Sequence, residues 1–233
     1  IDFIYDKTAP QVYLSLPSTN TVYAKELLTI SGTSIDPIPS GKTYASGLNV
    51  TDGVLIRVLM KPISSGTSWY WNNIAQTYNY PVSASESAWF VVSTSVTPEF
   101  TIWYSTTVVL WDDYEYEINL RGRDKAGNYD VTYTTHTGFK YDKTAPVSWV
   151  DAPGAGYVSS IWSVGGTATD TGGSQLSKVY TAIKRASDGQ YYKDEIPLSN
   201  SGFNSGVRWP NLASGAASWS LGLLDSKFDS GTS

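Results

Sequence analysis

The sequence contains no cysteine and a single histidine, His136. Without thiols the chain forms no disulfide and no cysteine-ligated zinc or iron–sulfur site. A Ser–His–Asp triad would depend on His136, which lies in a threonine-rich, strand-like segment where we expect an ordinary strand side chain. Asp112 and Asp113 would point to opposite faces of a strand, so they do not form the carboxylate pair that a glycosidase needs. We therefore expect that the protein is not an enzyme.

Charge is also scarce, because only 16% of the residues are charged and 21 acidic residues stand against 16 basic ones. Nucleic acid binding needs a basic surface, so we expect no nucleic acid partner. No apolar run approaches the roughly 18–20 residues of a membrane span, so we expect no membrane insertion in this segment. Aromatic residues are abundant instead, with 9 Trp and 17 Tyr, and this composition favours strands over helices.

One string of the sequence occurs twice, as FIYDKTAP at residues 3–10 and as FKYDKTAP at residues 139–146. Two further pairs of similar strings follow in the same order: LTISGTSID with WSVGGTATD, and GVLIRVLM with LSKVYTAIK. Ordered repetition of this kind indicates tandem modules.

We predict three segments from the repeat: the end of a preceding module at 1–5, domain 1 at 6–141 and domain 2 at 142–233. Domain 2 is expected to lack its last two strands, because no counterpart of the domain 1 string RGRDKAGN follows within it. Whether those strands are supplied in cis or in trans stays open. Residues 37–52 have no counterpart in domain 2, so we expect a surface loop there.

Side chains alternate between apolar and polar in several short segments, which predicts half-buried strands. The alternation is clear at Val12/Leu14/Leu16, at Val54/Ile56/Val58/Met60 and at Tyr116/Ile118/Leu120. Turn residues separate these segments, and no stretch shows a helical period. Short strands at regular spacing in domains of this size predict an all-β fold of the sandwich type.

The ordered strings D-x-T-A-P, I-x-G-T-x-x-D, R-x-R-D-x-A-G-N and F-x-Y-D-x-T-A-P resemble those of tandem bacterial Ig-like domains found in large surface proteins and adhesins. Here they occupy Asp6–Pro10, Ile30–Asp36, Arg121–Asn128 and Phe139–Pro146. The resemblance implies tandem Ig-like Greek-key β-sandwiches, the second one incomplete at its C-terminus, at an extracellular or cell-surface location.

The same resemblance implies a structural or adhesive function, as part of a stalk, an adhesin or a surface filament. The expected partners are neighbouring Ig-like modules of the same longer chain or of a homopolymer, and also glycans or a host cell surface. Many members of the family bind calcium at domain junctions, so calcium is the expected cofactor.

On an Ig-like scaffold, acidic residues far apart in sequence meet at one end of domain 1. Asp6 precedes the first strand, Asp36 ends the second, and Asp124 and Asn128 lie in the turn before the last strand. Carboxylates at such close range repel one another unless a cation binds them, and calcium accepts 6–8 oxygen ligands. We therefore predict a calcium site, with turn chemistry alone as the open alternative, because Asp and Asn side chains also bond to their own turns.

A second metal site is predicted where the two domains meet. Asp142 and Asp170 occupy the positions in the repeat that Asp6 and Asp36 occupy in domain 1. Asp112 or Asp113, from the other end of domain 1, is expected to complete this second set of ligands.

The aromatic cluster Trp69, Tyr70 and Trp71 permits two interpretations. Alternation along a strand places Trp69 and Trp71 on one face and Tyr70 on the other. One face then fills the core, or the rings form a flat platform that binds sugars. The second interpretation would make the protein a carbohydrate-binding accessory module of a secreted enzyme. Tyr116, near the start of a late strand, is expected to form the tyrosine corner of Greek-key sandwiches.

Overall fold

The computed structural model describes residues 3–18, 23–95, 100–130, 132–154, 156–193, 201–206 and 211–228. Strands dominate, which confirms the expected all-β class. The helical elements of this described part are two 3₁₀ segments, Val82–Ala88 and Asp225–Lys227. No helix in it has the length and apolar character that a membrane crossing needs.

The chain divides into two units, Ile1–Lys143 and Thr144–Ser233. The division falls inside the second copy of the YDKTAP string. Residues 3–5 of the predicted preceding module form no strand, and residues 1–2 lie outside the described residues.

The described part of the first unit contains eleven strands. They are β1 (Gln11–Leu16), β2 (Tyr23–Ala24), β3 (Ile30–Ile35), β4 (Val54–Pro62), β5 (Trp69–Asn72), β6 (Thr77–Pro81), β7 (Phe90–Val91), β8 (Ser93–Thr94), β9 (Ile102–Ser105), β10 (Tyr114–Gly122) and β11 (Thr134–Tyr141).

Two sheets build this unit. A four-stranded sheet has the order β1-β3-β9-β8, and a seven-stranded sheet has the order β2-β11-β10-β4-β5-β6, with β7 also paired to β4. All pairings are antiparallel except that of β2 with β11. β10 pairs with β4 in unbroken register from Tyr114 to Gly122, so it forms the centre of the larger sheet.

The core of the first unit lies between the two sheets. Val12 and Trp103 come from the four-stranded sheet, and Ile56, Trp71 and Ile118 come from the seven-stranded sheet, all with at most 2% of their surface exposed. This is the sandwich-like packing that the alternating pattern predicts.

Tyr116 makes the bonds expected of a tyrosine corner. Its hydroxyl accepts a hydrogen bond from the Trp111 N–H at 2.6 Å and donates one to the Trp111 carbonyl at 2.9 Å. The side chain is buried, and its hydroxyl fixes the backbone five residues upstream.

The described part of the second unit contains seven strands. They are β12 (Val147–Ala152), β13 (Ser163–Thr169), β14 (Tyr180–Thr181), β15 (Tyr191–Lys193), β16 (Gly202–Asn204), β17 (Asn211–Leu212) and β18 (Ser218–Gly222). They form a three-stranded sheet of order β12-β13-β18 and the two pairs β14-β17 and β15-β16.

The repeat in the sequence is also a repeat in packing. β12 pairs with β13 as β1 pairs with β3, with an irregularity at the same place in both ladders. In the first unit, a Cβ added to Gly32 would collide with the Trp103 ring and the Tyr13 carbonyl; in the second, a Cβ on Gly166 would collide with the ring of Trp219. A glycine under a tryptophan is therefore required twice, because only glycine leaves room for the ring.

Candidate metal centre

Three carboxylates from separate elements converge at one end of the first unit. Asp6 precedes β1, Asp36 follows β3, and Asp124 follows β10. One oxygen from each carboxylate lies within 4.8 Å of the other two. Asp6 is 6% exposed and Asp124 is fully buried. The convergence expected from the sequence is therefore present in the structure.

The loop over residues 37–52 holds the first two carboxylates. The Ser46 N–H donates to Asp6 Oδ2 at 2.8 Å, and the Gly47 N–H donates to Asp36 Oδ2 at 2.6 Å. The Ser46 hydroxyl also donates to Asp36 Oδ2 at 3.2 Å. The loop that we expected at the surface therefore also donates hydrogen bonds to the acidic group.

A turn after β10 holds the third carboxylate. Asp124 Oδ1 accepts the Asn128 N–H at 2.7 Å, and Asp124 Oδ2 accepts the Asn128 side-chain amide at 2.6 Å. The same amide donates to the Asp6 carbonyl at 3.1 Å. Gly127 has a φ of +91°, which this turn requires and which glycine adopts without strain. Asn128 therefore links the turn to the segment before β1.

The three carboxyl groups differ in how well their charge is stabilised. The Thr8 and Ser46 backbone N–H groups lower the pKa of Asp6. Burial raises the pKa of Asp36; the Gly47 N–H opposes this, and the charges of Asp6 and Asp124 raise it further. Asp36 Oδ1 is buried and accepts no hydrogen bond from the described residues. Asp36 therefore accepts hydrogen bonds at Oδ2 only, and its buried Oδ1 has no donor among the described residues.

The donor set fits a hard divalent cation. Calcium binds carboxylate oxygens at about 2.3–2.6 Å, so two ligands of one ion lie at most about 5 Å apart, as the oxygens do here. Turn bonds of the Asx type are present as well, from Thr8 to Asp6 and from Asn128 to Asp124. These bonds leave the buried Asp36 Oδ1 without a donor among the described residues.

A second acidic group contains Asp112, Asp113 and Asp142, whose oxygens also lie within 4.8 Å of one another. The first two precede β10 and the third follows β11. Asp142 is buried, whereas the other two are exposed. The Lys143 N–H donates to Asp112 Oδ1 at 2.6 Å. The expected approach of Asp112 and Asp113 to Asp142 is therefore present.

The two acidic groups lie at opposite ends of β10. Its nine residues span about 30 Å at the usual rise of a strand. Asp170, which the sequence placed with Asp142, belongs to the second unit. There its carboxylate accepts the Gly172 N–H at 3.1 Å and the Ser174 hydroxyl at 3.3 Å, as in an ordinary turn.

The aromatic cluster is packed inside the first unit and does not form a platform. Trp71 is fully buried and Trp69 packs on the same core, whereas Tyr70 lies on the other face with Leu59 and is 5% exposed. The predicted alternation is correct. The sugar-binding interpretation of these rings is not, because Tyr70 and Trp71 have no ring face open to a ligand.

Sequence reasoning missed Ser46 and Gly47 as partners of the acidic group. They lie in an insertion without periodic pattern, so nothing in the sequence indicates which side chains their N–H groups meet. No protein-family model matches the sequence, and no curated protein matches it.

Proposed function

We propose that the chain is a structural segment of an extracellular array of Ig-like domains, forming part of a stalk, an adhesin or a surface filament. Calcium bound by Asp6, Asp36 and Asp124 fixes the end of the first module. The observation that carries the proposal is the convergence of three carboxylates from three separate elements, one of them with a buried oxygen that accepts no hydrogen bond from the described residues.

The strand order of the first unit supports an Ig-like assignment. Ig-like sandwiches place strands A, B, E and D in one sheet and strands G, F and C in the other. The orders β1-β3-β9-β8 and β11-β10-β4 correspond to these arrangements. The bonds of the Tyr116 hydroxyl to Trp111 supply the tyrosine corner of the same fold.

Calcium would act on the segment that leads into β1. The carboxylates of Asp36 and Asp124 belong to the folded sandwich, whereas Asp6 belongs to the YDKTAP string at its entrance. A shared ion joins these three segments, with the Asn128 amide and the Ser46 hydroxyl close by. The ion would replace mutual repulsion with attraction and would restrict the entering chain.

Both copies of the YDKTAP string contribute their aspartate to an acidic group. Asp6 belongs to the first group and Asp142 to the second. A repeat that carries one acidic group per copy is expected of an array whose modules are stabilised by cations at their ends.

Calorimetric titration of the full chain with calcium tests the proposal. We expect saturable binding that magnesium does not reproduce, since magnesium demands tighter octahedral geometry and keeps its waters. Asp124→Asn should abolish one binding event, while Asp188→Asn, which removes a surface carboxylate paired with Arg185 in the second unit, should not. Absence of calcium binding, or unchanged binding by Asp124→Asn, would contradict the metal site.

Small-angle scattering of the same chain tests the mechanical function. We expect calcium to narrow the distribution of conformations relative to the chelator-treated chain. Identical scattering curves in both conditions would contradict stiffening by the ion, even if calcium binds.

A further inference from the structure

One face of β12 is exposed although its counterpart in the first unit is buried. Val12 of β1 is 2% exposed, whereas Ser148, its counterpart 136 residues later, is exposed, and Val150 of β12 is 65% exposed. Pro146 and Pro10 correspond in the same way and Pro146 is also exposed. The inner side of β12 is therefore open to solvent.

The hairpin β10–β11 covers this face in the first unit. A Cβ added to Gly122 of β10 would lie 2.8 Å from the Pro10 Cβ and 3.0 Å from the Val12 Cγ2. The Thr134 hydroxyl of β11 donates to the Val12 carbonyl at 3.1 Å. Among the described residues of the second unit, no strand pair takes the place of this hairpin.

The strand that would pair with such a hairpin is also open in the second unit. β4 pairs with β10 along one edge and with β5 and β7 along the other. In the second unit, the pairing of Tyr180 with Leu212 corresponds to that of Leu55 with Val91. The pairing of Lys184 with Tyr191 corresponds to that of Leu59 with Tyr70. Both lie on the edge that corresponds to the β5 and β7 side of β4. In the described residues, nothing pairs with the edge of residues 178–184 that corresponds to the β10 side of β4.

Charge at this open edge complements the hairpin. The pairing pattern places Lys184 at the position of Leu59, which lies directly opposite Glu117 of β10. Lys184 is exposed. A hairpin with the pattern of β10 would set a carboxylate across from this lysine, and opposite charges in directly facing positions stabilise a strand pair.

A groove of mixed polar and apolar lining joins the open face to the open edge. It is lined by residues of β12 and β13 and by the segment before β14, among them Pro146, Ala168, Leu176 and Val179. Ser148 of the lining stands where β1 has the apolar Val12, so the apolar contact on the β12 side of the groove depends on Pro146.

We propose that the second unit is an acceptor for an antiparallel strand pair of the β10–β11 type. The first strand of the pair adds to residues 178–184 with an acidic side chain opposite Lys184, and the pair covers Pro146 and Val150. The occupant is a hairpin with the side-chain pattern of residues 114–141, the type that this repeat itself encodes. Strand addition supplies main-chain hydrogen bonds, and the groove supplies selectivity. The proposal is independent of the calcium site.

A labelled peptide with the sequence of residues 114–141, added to the full chain, tests the acceptor site. We expect saturable one-to-one binding by fluorescence anisotropy and slowed hydrogen exchange at residues 147–150 and 178–184. A peptide carrying Ile118→Asp and Leu120→Asp, which breaks the apolar face, serves as the control and should not bind.

A charge exchange separates specific docking from damage to the fold. Lys184→Glu in the chain should weaken the peptide about fivefold or more, and Glu117→Lys in the peptide should restore the lost affinity. Lack of saturable binding, equal binding of the control peptide or protection mapped elsewhere would overturn the proposal. Protection of the amides of residues 178–184 from hydrogen exchange in the chain alone would also overturn it. So would dimerisation of the chain through this face that the peptide does not inhibit.

Discussion

Replacing Asp36 with Asn is expected to stabilise the protein without calcium and to destabilise it, relative to the wild type, with calcium. Asp36 is the carboxylate with a buried oxygen that accepts no hydrogen bond from the described part of the chain, and its pKa is raised by burial with the charges of Asp6 and Asp124 adding to the effect. The Asn side chain keeps the shape and an acceptor for the Gly47 N–H, but it removes the charge.

The magnitude follows from the distances in the acidic group. At 4.8 Å and an effective dielectric constant of about 20, two unit charges repel by about 3.5 kcal/mol. The variant removes two such repulsive pairs and weakens the hydrogen bonds from Gly47 and Ser46 by about 1 kcal/mol each. Because Asp36 is only half-buried, water screens the repulsion, so the repulsion that the variant removes is well below the sum of the two pairs. We expect a net gain of about 1–2 kcal/mol without calcium, or about 3–6 °C in Tm.

Calcium should reverse the order of stability of the wild type and Asp36→Asn. At a calcium concentration about a hundredfold above its Kd, the wild type gains about 2.7 kcal/mol, and the variant, with one ligand charge missing, gains less. Thermal unfolding followed by circular dichroism, in chelator and in calcium, measures both effects. Asp130→Asn is the matched control, because in the described part of the chain this carboxylate accepts hydrogen bonds from Thr132 of its own turn; the control should not reverse the order of stability.

A particular result would refute this reasoning. If Asp36→Asn shifts Tm by the same amount with and without calcium, turn chemistry alone accounts for the acidic group. If the variant is less stable than the wild type in chelator, the three carboxylates do not repel one another as their distances imply.

Three further predictions concern the framework around the site. Burial lowers the pKa of His136, so the unfolded chain takes up the proton at a higher pH than the folded chain, and stability in chelator should fall as the pH drops below about 6.5. The free energy of unfolding in urea should therefore decrease more from pH 7.5 to pH 5.5 in the wild type than in His136→Leu, and an equal decrease in both would contradict this. Tyr116→Phe should cost about 1–3 kcal/mol in urea unfolding, because the variant loses both bonds to the backbone of residue 111, and a cost near zero would contradict the corner. Gly32→Ala should cost about 1–3 kcal/mol through collision with Trp103, whereas Gly154→Ala, which has open space around it, should be close to neutral.

The sequence predicted the acidic group because strand ends and turns carry it. Asp6, Asp36 and Asp124 each follow or precede an alternating segment, and in a sandwich the ends of such segments meet. The repeat added Asp142 for the same reason. These predictions rest on the order of the strings along the chain and on the Ig-like scaffold that those strings resemble.

Features that depend on irregular backbone were not predictable. An irregularity between Tyr116 and Ile118 in the β10–β11 ladder breaks the alternation of β11, so His136 and Phe139 are both buried although they are three positions apart. A strict period of two places such residues on opposite faces. The contacts of Ser46 and Gly47 with the acidic group were missed because long-range contacts of an insertion leave no local pattern.

A crystal structure of the full chain grown in calcium is the most direct test of the central claim. The account predicts one ion at the end of the first unit, with oxygens of Asp6, Asp36 and Asp124 at about 2.3–2.6 Å from it. Carboxylates that lie apart from one another, or that meet around water and protein donors alone, would contradict it.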